Sequence, residues 1–228
     1  MAHQKVLGEK VFIRTLKELI KKIVVDEFHK VYYNVPRRTW SKTFWLNCPA
    51  QKCPLDLWVY QEIICEVQPD IIVESGTADG GSALFLASVC DLMNRGQVIT
   101  IDIEDNLARP RHQRITYLLG SSTSDEIVKV VGSAIAGKEK VMVILDSDHH
   151  KEHVCNELKI YSTFVTKGSY CIVEDTNIHG HPVRKDFPAG PMEAVDEFLR
   201  GNKDFVIDTS REKFFLTFAP NGYLKKIG

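Results

Sequence analysis

Ile71-Ile72-Val73-Glu74-Ser75-Gly76-Thr77-Ala78-Asp79-Gly80-Gly81-Ser82 is the stretch whose reading decides the fold. An apolar run of strand character ends in an acid. Glycines follow where a backbone must turn sharply, and then comes the helical pattern Ala83-Leu84-Phe85-Leu86-Ala87. A strand–turn–helix of this kind leaves the first helical N–H groups unpaired and aimed at whatever sits over the turn. Gly76, Gly80 and Gly81 carry no Cβ to obstruct a ligand there. The spacing Gly76-x-Ala78-x-x-Gly81 also fits a degenerate dinucleotide fingerprint, and a purely structural glycine turn is the competing reading.

Outward from this turn the pattern alternates regularly. A helix is expected over 83–94, a strand over 98–101 delivering Asp102, and a strand over 115–119 ending at Gly120-Ser121-Ser122. A helix over 125–136 precedes a strand over 141–145 that delivers Asp146. A helix over 150–166 and a strand over 169–173 delivering Glu174-Asp175 come next, then a helix over 191–200. Residues 205–208 and 214–218 read as a closing strand pair. Strands alternating with helices mean crossover units, hence an α/β fold with a mostly parallel sheet covered on both faces. Upstream, Pro54 opens a helix with the apolar face Leu57, Tyr60, Ile64 and Val67, stopped by Pro69-Asp70. The apolar stripe Phe12, Leu16, Leu19, Ile20, Ile23, Val24 and Phe28 predicts an amphipathic helix over 9–29, an arm packing on the body or on another subunit. Between them, 31–56 is aromatic, proline-broken and aperiodic; Trp40 and Trp45 either cap a cavity or pin the arm. The expected division is therefore an arm and lid segment over 1–53 and one domain over 54–228.

The net charge of -1 over 228 residues gives no electrostatic reason to propose nucleic acid or a membrane surface as partner. Six cysteines are scattered without a C-x-x-C pair, and Cys65, Cys90 and Cys171 read as small core hydrophobes. No apolar run approaches the roughly 18 residues that span a bilayer. A soluble, reduced, cytoplasmic protein is the expectation, with the amphipathic arm hinting at a homo-oligomer.

Five successive strands finish in polar or acidic residues: Glu74, Asp102, Gly120-Ser121-Ser122, Asp146 and Glu174-Asp175. In a parallel sheet these ends share one edge, where open α/β sheets bind ligands. Any one of the acids reads well as a helix cap or turn former. All of them together do not, because Asp146 and Glu174-Asp175 should stand on neighbouring strands about 4.8 Å apart. Carboxylates that close repel unless protonated or bridged by a cation, and oxygen ligands favour Mg²⁺. Asp102, ending the second strand after the turn, is placed to take the hydroxyls of a ribose. A nucleoside-bearing cofactor beside a metal suits methyl transfer from S-adenosylmethionine better than nicotinamide chemistry.

At these residues the chain resembles the cephalosporin hydroxylase family, class I S-adenosylmethionine-dependent methyltransferases despite the name, and more distantly the Mg²⁺-dependent catechol O-methyltransferases. The resemblance runs from about Pro54 to the C-terminus. It rests on Asp56-Leu57-Trp58-Val59-Tyr60-Gln61-Glu62, the 74–82 turn, Leu145-Asp146-Ser147-Asp148-His149, Val173-Glu174-Asp175-Thr176 and Gly190-Pro191. It implies a Rossmann-like sheet with a C-terminal antiparallel strand pair. It further implies cofactor contacts from Glu74, Gly76, Thr77, Gly80, Gly81, Ser82, Asp102, Ser121 and Ser122, with Ser121-Ser122 along the adenine. Asp146, Glu174 and Asp175 would ligate Mg²⁺. The catechol enzymes carry a lysine base three residues beyond the first metal-ligating aspartate; here that place is His149, which with Asp146 forms the expected catalytic pair.

The resulting expectation is an Mg²⁺-dependent O-methyltransferase acting on a hydroxyl of a small molecule, a sugar or secondary metabolite. The rivals are a metal-dependent hydroxylase of a β-lactam-like metabolite, which would need a redox metal, and a non-catalytic S-adenosylmethionine-binding assembly partner. His149, His150 and His153 do not match the zinc motif H-E-x-x-H, so no second metal is expected there. Asp148 either orients His149 or caps the helix, and His179 and His181 lie in a loop open to substrate or to solvent.

Overall fold

The computed structural model describes residues 2–36 and 39–228, with side chains described from residue 15 onward except at 37 and 38. Phe12 and the pair Arg37-Arg38 therefore lie outside the described side chains. Helix α1 (Ala2–Asn34) leads through a short helical turn at Thr39–Lys42 into a small hairpin, β1 (Phe44–Trp45) and β2 (Cys48–Pro49). Then follow α2 (Pro54–Val67), β3 (Ile71–Ser75), α3 (Gly81–Leu92), β4 (Gln97–Asp102), β5 (Ile115–Leu119), α4 (Asp125–Ile135) and β6 (Val141–Leu145). The chain closes with α5 (Lys151–Tyr161), β7 (Tyr170–Val173), α6 (Pro191–Gly201), β8 (Phe205–Ile207) and β9 (Tyr223–Lys226).

The main sheet runs β5-β4-β3-β6-β7-β9-β8. β3 to β7 are parallel, while β9 runs antiparallel to both β7 and β8. Strand alternation sorts the core onto two faces. Ile72, Val98, Met142, Ile144 and Ile172 pack with α2 and α3, whereas Ile71, Val73, Ile99, Val143, Leu145 and Cys171 pack with α4, α5 and α6. This is the expected α/β sheet, and its order reverses beside β3, where such sheets open a crevice.

The strand expected over 214–218 is not formed. Phe215 sits at φ 65°, a left-handed conformation that breaks a ladder, and Leu216 and Phe218 turn inward against Cys53, Tyr32, Tyr33 and Trp40. The antiparallel partner is Tyr223-Leu224-Lys225-Lys226, whose two lysines hide its strand character. Lys226 snorkels to donate to the carbonyls of Ser162 and Val165 just beyond α5, while Lys225 reaches Glu66. α5 stops at Tyr161 rather than 166, and Cys65 is exposed rather than in the core, unlike Cys90 and Cys171.

The arm departs from expectation in which face it buries. Leu16, Leu19, Ile20, Ile23, Val24 and Phe28 are all exposed. The helix grips the body near its end, where His29 stacks on Phe218 at 5.7 Å and accepts from Asn177 Nδ2 at 3.0 Å, and Lys21 lies over the Phe215 ring at 4.4 Å. Burial pushes the His29 pKa down to about 4, so the ring is neutral and free to accept that bond.

Candidate active site

The C-terminal ends of β3, β4, β5, β6 and β7 enclose a cavity of about 750 Å³, roofed by Tyr33, Trp40 and the loop carrying Arg184 and Phe187. Gly76, Thr77, Ser82, Asp102, Ser121, Ser122, Asp146, His149 and Asp175 all face it. Glu74, Gly80, Gly81 and Glu174 do not line it.

The turn after β3 is held from β4. Asp102 Oδ2 accepts from the backbone N–H of Thr77 at 3.0 Å and of Ala78 at 2.8 Å, and Oδ1 accepts from Glu104 N at 3.0 Å. The Arg109 guanidinium stands 3.3 Å from Oδ2. Two of the glycines are required by protein packing. A Cβ on Gly76, whose φ is +87°, would fall 1.8 Å from the Asp146 carbonyl oxygen. One on Gly81 would fall 2.1 Å from the Pro49 carbonyl oxygen, into the β1–β2 hairpin.

Glu74 belongs to β3 itself and is buried. Its Oε2 accepts from Thr100 Oγ1 at 2.7 Å, while Oε1 has no partner among the described residues. Burial pushes its pKa up to about 7, against the opposing pull of Lys52 and of the Thr100 and Ser82 hydroxyls. An unpartnered acceptor beneath a cavity-facing serine fits a cofactor that brings a cationic donor, as the amino-acid part of S-adenosylmethionine does.

Pairing of Leu145 with Val173 brings Asp146 and Glu174 side by side beyond the ends of β6 and β7. Asp146, His149 and Asp175 each offer one donor atom within 4.8 Å of the others, and His149 Nε2 lies 3.1 Å from Asp175 Oδ2. Clustered carboxylate oxygens fit a hard divalent cation, and the imidazole beside them can complete the set or take a proton. Asp175 sits at φ 52°, a left-handed conformation that an aspartate tolerates better than most residues. Burial and the neighbouring acids raise the pKa of Asp146, of Glu174 and of Asp175, against the pull of Lys52. Burial would lower the His149 pKa, but Asp175 and Asp146 outweigh it and the net shift is upward.

Glu174 is placed differently from its neighbours. Its Oε1 accepts from Lys52 Nζ at 2.6 Å, and the same ammonium also contacts Asp146 Oδ2. Lys52 is 3% exposed, and nothing in its local sequence, Gln51-Lys52-Cys53-Pro54, distinguishes it from a solvated loop lysine. The available signal was the charge count: acids crowded at one rim call for a counter-ion.

Ser122 and Ser147 both donate to buried Glu157 Oε1, at 2.6 and 2.8 Å, with His153 Nε2 3.1 Å from Ser147 Oγ. Glu157 was not foreseen, because within a helical pattern it reads as a solvated position. The adjoining histidines part company: His150 Nδ1 pairs with Asp148 Oδ1 at 2.5 Å, so Asp148 serves His150 and not His149. His179 Nδ1 meets the Phe187 carbonyl at 2.5 Å and His181 meets Glu193 at 2.7 Å. The tryptophans divide the two roles left open for them. Trp40 lines the cavity, stacked on Tyr33 at 5.3 Å, while Trp45 donates to Ser88 and meets Phe85 edge-on, fixing the hairpin to α3.

A family model described as "Rhamnosyl O-methyltransferase/CmcI" matches residues 37–227. The chain is 38% identical over 211 residues to a rhamnosyl O-methyltransferase of Mycobacterium leprae, covering 88% of this chain and 90% of that one. It is equally identical over 213 residues to the Mycobacterium tuberculosis H37Rv protein of the same name, covering 88% and 84%. Among solved structures, CmcI with Mg and SAM superposes with a TM-score of 0.65 at 20% identity, covering 87% of this chain and 84% of that one. An O-methyltransferase from Bacillus cereus in complex with SAH gives a TM-score of 0.51 at 14% identity, covering 71% and 76%. The structural likenesses concern the fold. With a family model spanning the sheet and every residue of the cavity rim from β3 to β7, the chain belongs to the rhamnosyl O-methyltransferase/CmcI family.

Proposed function

We propose that this protein transfers a methyl group from S-adenosylmethionine to a hydroxyl of a sugar-bearing small molecule, with Mg²⁺ as cofactor. The observation that carries the reading is that the Asp146–His149–Asp175 cluster and the Asp102-braced turn open into one cavity. The relatives named rhamnosyl O-methyltransferase support the sugar. When bound, Mg²⁺ would supply Lewis acidity at the acceptor hydroxyl and S-adenosylmethionine the electrophilic methyl.

The chain's own residues do the rest. Asp146 and Asp175, with Glu174 at the same strand end, would hold the ion. Asp102 presents its cavity edge to the ribose, Ser121 and Ser122 border the adenine end, and Thr77 and Ser82 face the middle of the cofactor. Glu74 waits beneath with its free acceptor, while Gly76, Gly80 and Gly81 set the backbone path. His149 stands beside the ligand carboxylates, its Nε2 3.1 Å from Asp175 Oδ2, and acts as the base that takes the acceptor's proton rather than as a ligand of the ion. Tyr33, Trp40 and Phe187 form an aromatic wall on the acceptor side, suited to the apolar face of a sugar ring. The exposed apolar face of α1 supports self-association into a homo-oligomer. Among the described residues no helix is long and apolar enough to cross a membrane.

The test is methyl transfer from labelled S-adenosylmethionine to a panel of rhamnosides, with and without chelator. Activity should require a divalent ion and fall at least 100-fold in Asp146→Asn. Chelator-insensitive transfer, or full activity in that variant, would remove the metal from the reaction. Iron-dependent oxygen consumption would favour the hydroxylase reading instead.

A further inference from the structure

Two of the three carboxylates gathered at the ends of β6 and β7 are already engaged by a protein cation. Lys52 reaches in from the loop before α2, is almost wholly buried, and places one ammonium between Asp146 Oδ2 and Glu174 Oε1, the latter at 2.6 Å. Asp175 faces His149 instead. The three acids and the ammonium together leave two negative charges, the complement of one divalent ion. Without Lys52, buried Glu174 would stand beside partly exposed Asp146 with no cation between them, an arrangement that carries an electrostatic penalty.

We propose that Lys52 is a resident counter-ion that keeps the acidic site assembled and competes with the divalent ion for Asp146 and Glu174. This rests on the metal-dependent reading above and adds to it a residue that sets metal affinity. A divalent ion drawing on Asp146 meets an ammonium bonded to the same carboxylate, so like-charge repulsion and ligand sharing both weaken its binding. The consequence is a site that stays ordered without metal and binds it less tightly than three free carboxylates would. The alternative is a lysine that simply buttresses the loop over 49–53, and that role predicts no change in metal affinity.

Mn²⁺ is the probe, titrated into the full-length chain and followed by electron paramagnetic resonance of the free ion, with melting temperature read alongside. In Lys52→Met we expect Mn²⁺ to bind about tenfold tighter or more, and its stabilising effect on melting to exceed that in the wild type. Should this variant not fold, Glu174→Gln and the double variant Lys52→Met/Glu174→Gln keep the question open to measurement. Competition requires the double variant to bind Mn²⁺ about tenfold tighter than Glu174→Gln. Equal affinities within either pair would overturn the proposal. Absence of Mn²⁺ binding to the wild type would instead defeat the metal-dependent reading itself, a separate outcome.

Discussion

Asp102→Ala separates the two duties that one carboxylate performs. Oδ2 braces the turn after β3 through Thr77 N and Ala78 N, while Oδ1 takes one donor, Glu104 N, and Asp102 lines the cavity. A hydrogen bond to a charged group contributes about 1.5–3 kcal/mol. Truncation frees the Thr77 and Ala78 donors at the cavity wall, where water replaces part of each bond, and takes the carboxylate from Arg109, so the loss should cost at least about 2 kcal/mol. For a chain of this size that lowers the melting temperature by about 4–8 °C.

Binding loses at least one bond from a ribose hydroxyl to the carboxylate, about 1.5–3 kcal/mol, or roughly 10- to 150-fold in Kd. Calorimetric titration with S-adenosylhomocysteine, paired with thermal melts, reads both quantities. Asp102→Asn retains an acceptor for the turn and removes the charge, so it should lose affinity while melting near the wild type. If both variants bind S-adenosylhomocysteine within about twofold of the wild type while Asp102→Ala melts low, the residue is a turn brace and the ribose assignment is wrong.

Two further perturbations test the frame around the site. Asp56 is buried at the start of α2, accepting from Phe218 N at 2.8 Å and from the Tyr223 hydroxyl at 2.9 Å, and burial pushes its pKa up to about 7. Since the unfolded chain releases that proton near pH 4 and the folded chain holds it, this group's contribution falls as pH rises from about 4 to 7 and is flat above, by at most about 4 kcal/mol. Asp56→Asn should flatten that fall, seen as denaturation midpoints that converge on or overtake the wild type by pH 8; parallel curves from pH 5 to 8 would contradict it. Gly81→Ala puts a methyl 2.1 Å from the Pro49 carbonyl oxygen and must drive the hairpin off α3. Overpacking of that kind costs about 1–3 kcal/mol, more than the helix gains from alanine, so melting should fall by several degrees; an unchanged melt would show that the hairpin yields freely.

The sheet was legible because strand–helix alternation is a periodic signal and periodicity survives in a single sequence. The acids at the strand ends were legible because parallel pairing alone brings those ends to one rim. What stayed hidden was set by non-local contacts. The Tyr223–Lys226 strand carries two lysines whose charged ends reach carbonyls and Glu66, so its pattern looks polar. Residues 214–218 look like a strand because their run is apolar and aromatic, yet only Leu216, Thr217 and Phe218 are buried while Phe214 and Phe215 are exposed. For Gly76 and Gly81 a second requirement was hidden: a Cβ there would meet the Asp146 and Pro49 carbonyls, partners distant in sequence.

Lys52 draws these threads together. The register that sets Leu145 against Val173 also sets Asp146 beside Glu174, so sheet geometry by itself creates a repulsion that sheet geometry cannot relieve. Relief comes from a loop that precedes α2, carried by the hairpin that Trp45 and Gly81 lock onto α3. A chain beginning at Pro54 would retain every strand of the main sheet and lose the ammonium that Asp146 and Glu174 share. The segment before α2 is thus part of the acidic site's electrostatics, and the same tight hairpin contact that Gly81 permits is what delivers the charge to the place where the sheet needs it.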